Sequence, residues 1–294
     1  MIVVPHDVDR SPSLQRVPCR VASAGDGTPP LELELIAAKP ASGGGERTPL
    51  LFLHGAFAGA WVWAEHFLPF FAAAGYPAYA LSLRGHAGSD GIDQLVRYGV
   101  DDFVADVGAA LSVIGAPTVL VGHSMGGLIA QRCLGALDLS GLVLLASVPP
   151  EGLFTINICL ALSSPHLWTE MALAAVLHPN FADPQTMRRA MLSDTIPLQR
   201  LQDYFARMQN EATRATLEAQ FPCVWRSAAS LRVPTLVVGA SRDRLIPRDA
   251  VVRTAWFHGS ELREIADMAH AMMLEPHWQE AADLLLDWLG RKAF

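Results

Sequence analysis

A serine hydroxyl is a weak nucleophile at neutral pH. It becomes useful when a base takes its proton and a carboxylate holds that base in one tautomer. The chain places a serine, an acid and a histidine where they could share that work. Gly122-His123-Ser124-Met125-Gly126-Gly127 has G-x-S-x-G spacing, the pattern of a turn too sharp for ordinary side chains beside the serine. The apolar run Thr118 to Val121 leads in and the helix-forming stretch Leu128 to Arg132 leads out. Such a turn lifts Ser124 above a sheet and points a helix N-terminus at the reacting atoms. Downstream, Asp243 follows the strand-like Leu236-Val237-Val238, and His270 follows Leu262 to Ile265. The order Ser, Asp, His assigns Ser124 as nucleophile, His270 as general base and Asp243 as its orienting acid.

Other acids fit less well. Asp267 lies three residues from His270 and reads as a turn cap, and Asp249 reads as the first turn of a helix. Glu151 is the alternative acid after the sixth strand. His123 is turned away by the serine turn and reads as structural. His86, His166, His178, His258 and His277 read as surface or cap histidines. A tetrahedral intermediate needs two N–H donors. The backbone of Met125 supplies one, and Ala56, in the loop His54-Gly55-Ala56-Phe57-Ala58-Gly59, supplies the other.

These residues must be carried by a core, and the composition allows one. Hydrophobic residues make up 51% of the 294 residues, and mean hydropathy is +0.26. Net charge is −7 without blocks of like charge, which argues against a nucleic-acid footprint. No stretch reads as a signal peptide or a membrane span. The expectation is a soluble, cytoplasmic protein, monomer or homodimer, acting on a small molecule without stable membrane insertion. Cys19, Cys133, Cys159 and Cys223 are far apart and read as buried thiols, with no metal site and no cofactor expected.

Short apolar strands alternate with helical patterns. Strands are expected at 31–38, 50–53, 76–83, 118–121, 142–146, 235–238 and 261–265, and helices at 61–74, 100–114, 125–137, 249–257 and 274–289. Unbroken apolar strands imply a mainly parallel sheet covered on both faces. The first two runs, joined by the glycine-rich turn at 41–48, suggest an antiparallel edge hairpin. From Pro149 to Val233 the strands stop. Asp183-Pro184 marks a helix start, and Leu198, Leu201, Tyr204, Phe205 and Met208 form an apolar stripe. This region reads as a helical cap over the sheet, although 154–162 also alternates with period two and is left open. Phe57, Trp168 and Met272 are the expected substrate contacts, within a methionine-rich pocket. Arg188, Arg189, Arg200, Arg207 and Arg214 read as a solvated face, with an anionic leaving group as the alternative.

Taken together, these motifs resemble the α/β-hydrolase superfamily from about residue 30 onward. The residues that carry the likeness are His54-Gly55-Ala56-Phe57, the 122–127 turn, the Asp243 loop ending at Ile246-Pro247, and Ala269 to Pro276. Arg84-Gly85-His86-Ala87-Gly88-Ser89 is similar to the lysophospholipase-like and esterase branches. His54-Gly55 with Gly59-Ala60-Trp61-Val62-Trp63 is similar to the plant methylesterase and hydroxynitrile-lyase branch. The resemblance implies an α/β fold with a mostly parallel eight-stranded sheet flanked by helices and a mainly helical cap inserted after strand 6. The core would span 1–148 and 227–294, and the cap 149–226. It implies a serine hydrolase cleaving a carboxylic ester of small-to-medium apolar acyl or aryl type through an acyl-enzyme. The alternatives are a thioesterase or a non-hydrolytic lyase with the same three residues, or a non-catalytic ligand-binding member.

Overall fold

Runs such as Leu50-Leu51-Phe52-Leu53 need cover on both faces, and a sheet between two layers of helices provides it. The computed structural model of the chain describes residues 13–22, 29–41, 47–225 and 232–294. Its strands are β1 (Leu14–Val21), β2 (Leu31–Ala38), β3 (Leu50–Leu53), β4 (Ala78–Leu81), β5 (Val119–His123), β6 (Gly141–Leu145), β7 (Thr235–Ala240) and β8 (Glu261–Ile265). They form one eight-stranded sheet in the order β1-β2-β4-β3-β5-β6-β7-β8. β2 pairs antiparallel with β1 and β4, and every other pairing is parallel.

Alternate strand residues feed two cores, as a pleat of period two requires. Leu50, Phe52, Val119 and Val121 pack with α1 (Trp61–Ala64), α2 (Phe67–Ala73) and α11 (Trp278–Lys292). Leu51, Leu53 and Leu120 pack on the other face with α3 (Val100–Ile114), α4 (Met125–Cys133) and α10 (Arg248–His258). The loops holding His54, Ser124, Asp243 and His270 all leave carboxyl ends of parallel strands. The chain steps to one side from β3 to β4 and to the other side from β4 to β5, so the order reverses beside β3. Open α/β sheets bind ligands in the crevice at such a reversal.

The edge hairpin differs from the expected one. β2 pairs with β1, register Pro18↔Glu34, rather than with the 50–53 strand. Arg16 and Arg20 break the apolar run of β1, and Pro18 lacks an N–H for a ladder, features an edge strand tolerates. Most of the glycine-rich turn expected at 41–48, and residues 226–231 at the expected cap–core boundary, lie outside the described residues.

Between β6 and β7 the described chain is helical: α5 (Phe154–Ser163), α6 (Pro165–Val176), α7 (Pro184–Met191), α8 (Leu198–Arg207) and α9 (Thr213–Glu218). The segment left open at 154–162 is the helix α5. Asp183 caps α7 by accepting the Thr186 N–H at 2.8 Å. In α8, Leu201 and Tyr204 are buried and Met208 follows them inward, but Leu198 is exposed. Among the cysteines, Cys19 and Cys133 are buried, whereas Cys159 is exposed and Cys223 half-buried, a correction to the expected four buried thiols.

Candidate active site

Ser124 sits between β5 and α4 with φ 52° and ψ −118°, a conformation an L-residue adopts only when its surroundings enforce it. The enforcement is visible. The Ser124 N–H donates to the Leu145 carbonyl at 3.1 Å, and the Ser124 carbonyl accepts from Val148 N–H at 3.1 Å. A Cβ at Gly122 would lie 2.4 Å from the Gly126 carbonyl oxygen, and one at Gly126 would lie 2.3 Å from the His54 carbonyl oxygen. Only glycine lets the helix, the strand and the loop after β3 come this close.

The acid and the histidine meet. His270 Nδ1 donates to Asp243 Oδ2 at 2.8 Å, and both side chains are almost wholly buried. Asp243 Oδ1 accepts backbone N–H groups from Leu245 at 2.8 Å and Ile246 at 2.9 Å. Three donors therefore hold the carboxylate. The other acids are committed elsewhere: Asp267 pairs with Arg242 at 2.7 Å, and Glu151 and Asp249 both pair with Arg253.

Ser124 and His270 line one cavity of about 350 Å³, together with Ala56, Phe57, Met125 and Trp168. Its remaining wall is mostly apolar, drawn from α5, α6, α9 and the loop after β8. Trp168 stands at the mouth, 40% exposed. Met272 is a correction: it is fully buried in the core, and its neighbours Ala271, Met273 and Leu274 face the cavity instead. Residues 272–274 form a tight three-residue turn, which fans successive side chains in different directions. The arginines lie off the cavity wall. Arg188 pairs with Asp194, Arg200 with Glu65 and Arg214 with Glu218, and Arg207 lies 4.3 Å over the Trp61 ring.

Three histidines support the loops. His54 donates from Nδ1 to the Gly55 carbonyl at 2.8 Å and accepts the Leu83 N–H at Nε2. Burial, with repulsion from His86, lowers it to about 4. His123 donates from Nε2 to the His270 carbonyl at 2.9 Å, and burial holds it well below its ordinary value. His86 corrects its surface reading: it is wholly buried and 3.1 Å from Glu211. His258 is buried too, bonded to Gln131. Glu211 gave no motif to follow, being a lone acid between two helices. For His86 the signal was present, in the Arg84–Ser89 motif itself.

The geometry offers a strained serine, a buried histidine–carboxylate pair and a mostly apolar cavity. Among the described residues no group of three or more His, Cys, Asp or Glu could hold a metal ion.

Comparison with known proteins agrees with this architecture. Residues 50–284 match the model of the alpha/beta hydrolase family, and the chain belongs to that family. Its structure is similar to a putative aryl esterase from Burkholderia cenocepacia (16% identity, TM-score 0.71, covering 95% of this chain and 99% of that one). It is also similar to a thermophilic esterase from Thermogutta terrifontis (19% identity, TM-score 0.66, 95% and 99%). A bromoperoxidase from Bacillus anthracis matches comparably (17% identity, TM-score 0.68, 94% and 100%). At such identities the likeness carries the fold, and the chemistry must be argued from the site.

Proposed function

We propose that the protein is a serine hydrolase that cleaves carboxylic esters of small-to-medium apolar acyl or aryl groups through an acyl-enzyme. Ser124 Oγ attacks the ester carbonyl while His270 takes its proton, and Asp243 holds the imidazole and its developing charge. The N–H groups of Met125 and Ala56 receive the oxyanion. His270 then protonates the leaving alcohol and activates the water that releases the acid. The helical insertion at 149–226 acts as the cap, supplying most of the acyl pocket, over a core of 1–148 and 227–294.

The observation that carries this reading is the buried His270–Asp243 contact at 2.8 Å, beside a strained serine in one mostly apolar cavity. A carboxylate-held histidine that shares a cavity with a strained serine is the arrangement acyl transfer requires. Esterases among the structures of the same fold agree with ester hydrolysis in general. The test is labelling by a fluorophosphonate, followed by assay of aryl esters and thioesters over a range of acyl lengths. The parent should label, and Ser124→Ala should neither label nor turn over, losing at least a thousandfold in rate. An unlabelled parent would refute the activated serine. Turnover confined to thioesters would move the substrate class and keep the mechanism.

A further inference from the structure

The stretch 208–212, between α8 and α9, grips the loop that holds the proposed oxyanion donor. Phe57 N–H donates to Glu211 Oε2 at 3.0 Å, and the Phe57 carbonyl accepts the Gln209 N–H at 3.1 Å. Phe57 has φ 65°, left-handed for a bulky residue, a conformation that persists only when over-determined. Glu211 lies in the cavity wall, yet its side chain is only 1% exposed. Its second oxygen accepts Ala212 N–H at 2.7 Å and faces His86 Nε2 at 3.1 Å.

The hydrogen-bond partners favour one charge state of this pair. His86 Nδ1 contacts the Arg84 carbonyl at 3.0 Å and must donate there. Glu211 meanwhile receives two backbone N–H groups, an environment that favours the carboxylate. With Glu211 as the carboxylate, the remaining contact is a donation from His86 Nε2, which makes His86 an imidazolium. Burial alone would lower His86 and raise Glu211. Attraction and hydrogen bonding between them outweigh it, so that His86 is raised and Glu211 lowered.

We propose that Glu211, held ionised by His86, is the positioning residue of the oxyanion loop: it occupies the Phe57 N–H and leaves that of Ala56 to face the acyl oxygen. The inference rests on the serine-hydrolase reading above. It also explains how a carboxylate can sit in the wall of a site that must stabilise negative charge. The His86 proton cancels it. Loss of that proton would leave an uncompensated anion beside the oxyanion and slow the reaction on the alkaline side. The charged and titratable groups facing His86 are Glu211, Asp106 of α3, Arg84, and His54 with ring centroids 5.1 Å apart. His54 is neutral near pH 7 and Asp106 is bound by Arg84, so Glu211 sets the His86 charge.

The test is Glu211→Gln, assayed on an aryl ester and with an aryl trifluoromethyl ketone. Ser124 Oγ adds to the ketone carbon, the proton passes to His270, and the carbonyl oxygen becomes an oxyanion. Losing an oxyanion donor outright costs about 10²–10³ in kcat, so misplacing one should lower kcat about 10- to 100-fold, with KM within about threefold. Ketone affinity should weaken in proportion to kcat/KM, and the alkaline limb of kcat that His86 produces should disappear. Full activity in the variant, or reduced kcat with unchanged ketone affinity, would overturn the inference. Should the variant not fold, ¹⁵N-histidine NMR of the parent decides, since a neutral His86 at pH 7 also overturns it. A parent that reacts with neither fluorophosphonate nor ketone would sink the serine-hydrolase reading itself, and this inference with it.

Discussion

At Asp243 each carboxylate oxygen has a separate duty. Oδ1 takes the N–H groups of Leu245 and Ile246, and Oδ2 takes His270 Nδ1. An asparagine here has only one good orientation. Its carbonyl must face the two backbone donors, which turns its NH₂ toward Nδ1. That nitrogen must then accept, so the proton sits on Nε2, where the base is needed. Asp243→Asn should therefore fold normally and label slowly, with kcat down roughly 10³- to 10⁴-fold. Steady-state kinetics with the thermal midpoint as control checks this. A loss below tenfold would show that another group orients His270.

The walls of the cavity are set by whole helices. On α6, Trp168, Met171, Ala172, Ala175 and Val176 all line it, a spacing of i, i+3, i+4, i+7 and i+8 that puts one stripe of a helix toward the site. Ala175 is the small residue in that stripe nearest the helix end. Ala175→Phe should fill part of the cavity proposed to hold the acyl group and leave Ser124 and His270 untouched. Overfilling a packed space costs about 1–3 kcal/mol, so kcat/KM for long acyl esters should fall about ten- to a hundredfold. Acetyl esters should keep theirs within about threefold. Equal losses along the series would show that α6 does not form the acyl pocket.

That stripe also marks where the sequence stops being legible. A run spaced i, i+3, i+4 has the same composition whether it faces a core or a substrate, and nothing in α6 separates the two. The interior parallel strands were readable because burial on both faces leaves an unbroken apolar run, as at Leu50–Leu53. β1 was not, because Pro18 and its arginines are what an edge strand tolerates and what a loop prefers. Ser124, Asp243 and His270 stood out since their roles demand fixed residue types after strand ends. The His270–Asp243 contact at 2.8 Å, and the cavity those residues share with Ser124, are long-range geometry that no local pattern encodes. Glu211 was silent for the same reason: its partners Phe57 and His86 lie 154 and 125 residues away.

Across the whole molecule, the buried histidines tie folding to pH. His54 can satisfy both of its hydrogen bonds only as the neutral tautomer with Nδ1 protonated. Burial, with repulsion from His86, lowers it to about 4, while an unfolded chain would protonate it near 6.5. Above that value neither state binds the proton and the contribution to stability is complete. As the pH falls from about 6.5 toward 4, the unfolded state binds a proton that the folded state refuses, and stability drops. The difference is worth roughly 3 kcal/mol for His54, about 2 of it by pH 5. His123 is lowered by burial and by His270 and acts in the same direction. His86 opposes both: raised by Glu211, it stabilises below its unfolded value and loses that contribution as the pH rises through its folded one. The urea midpoint should therefore be greatest near neutrality and fall clearly between pH 7 and pH 5. His54→Gln offers an amide to the same partners without titrating. It should be less stable at pH 7 and lose about 2 kcal/mol less than the parent between pH 7 and pH 5. Parallel pH curves for the two proteins would show that His54 binds its proton equally in the folded and unfolded chain.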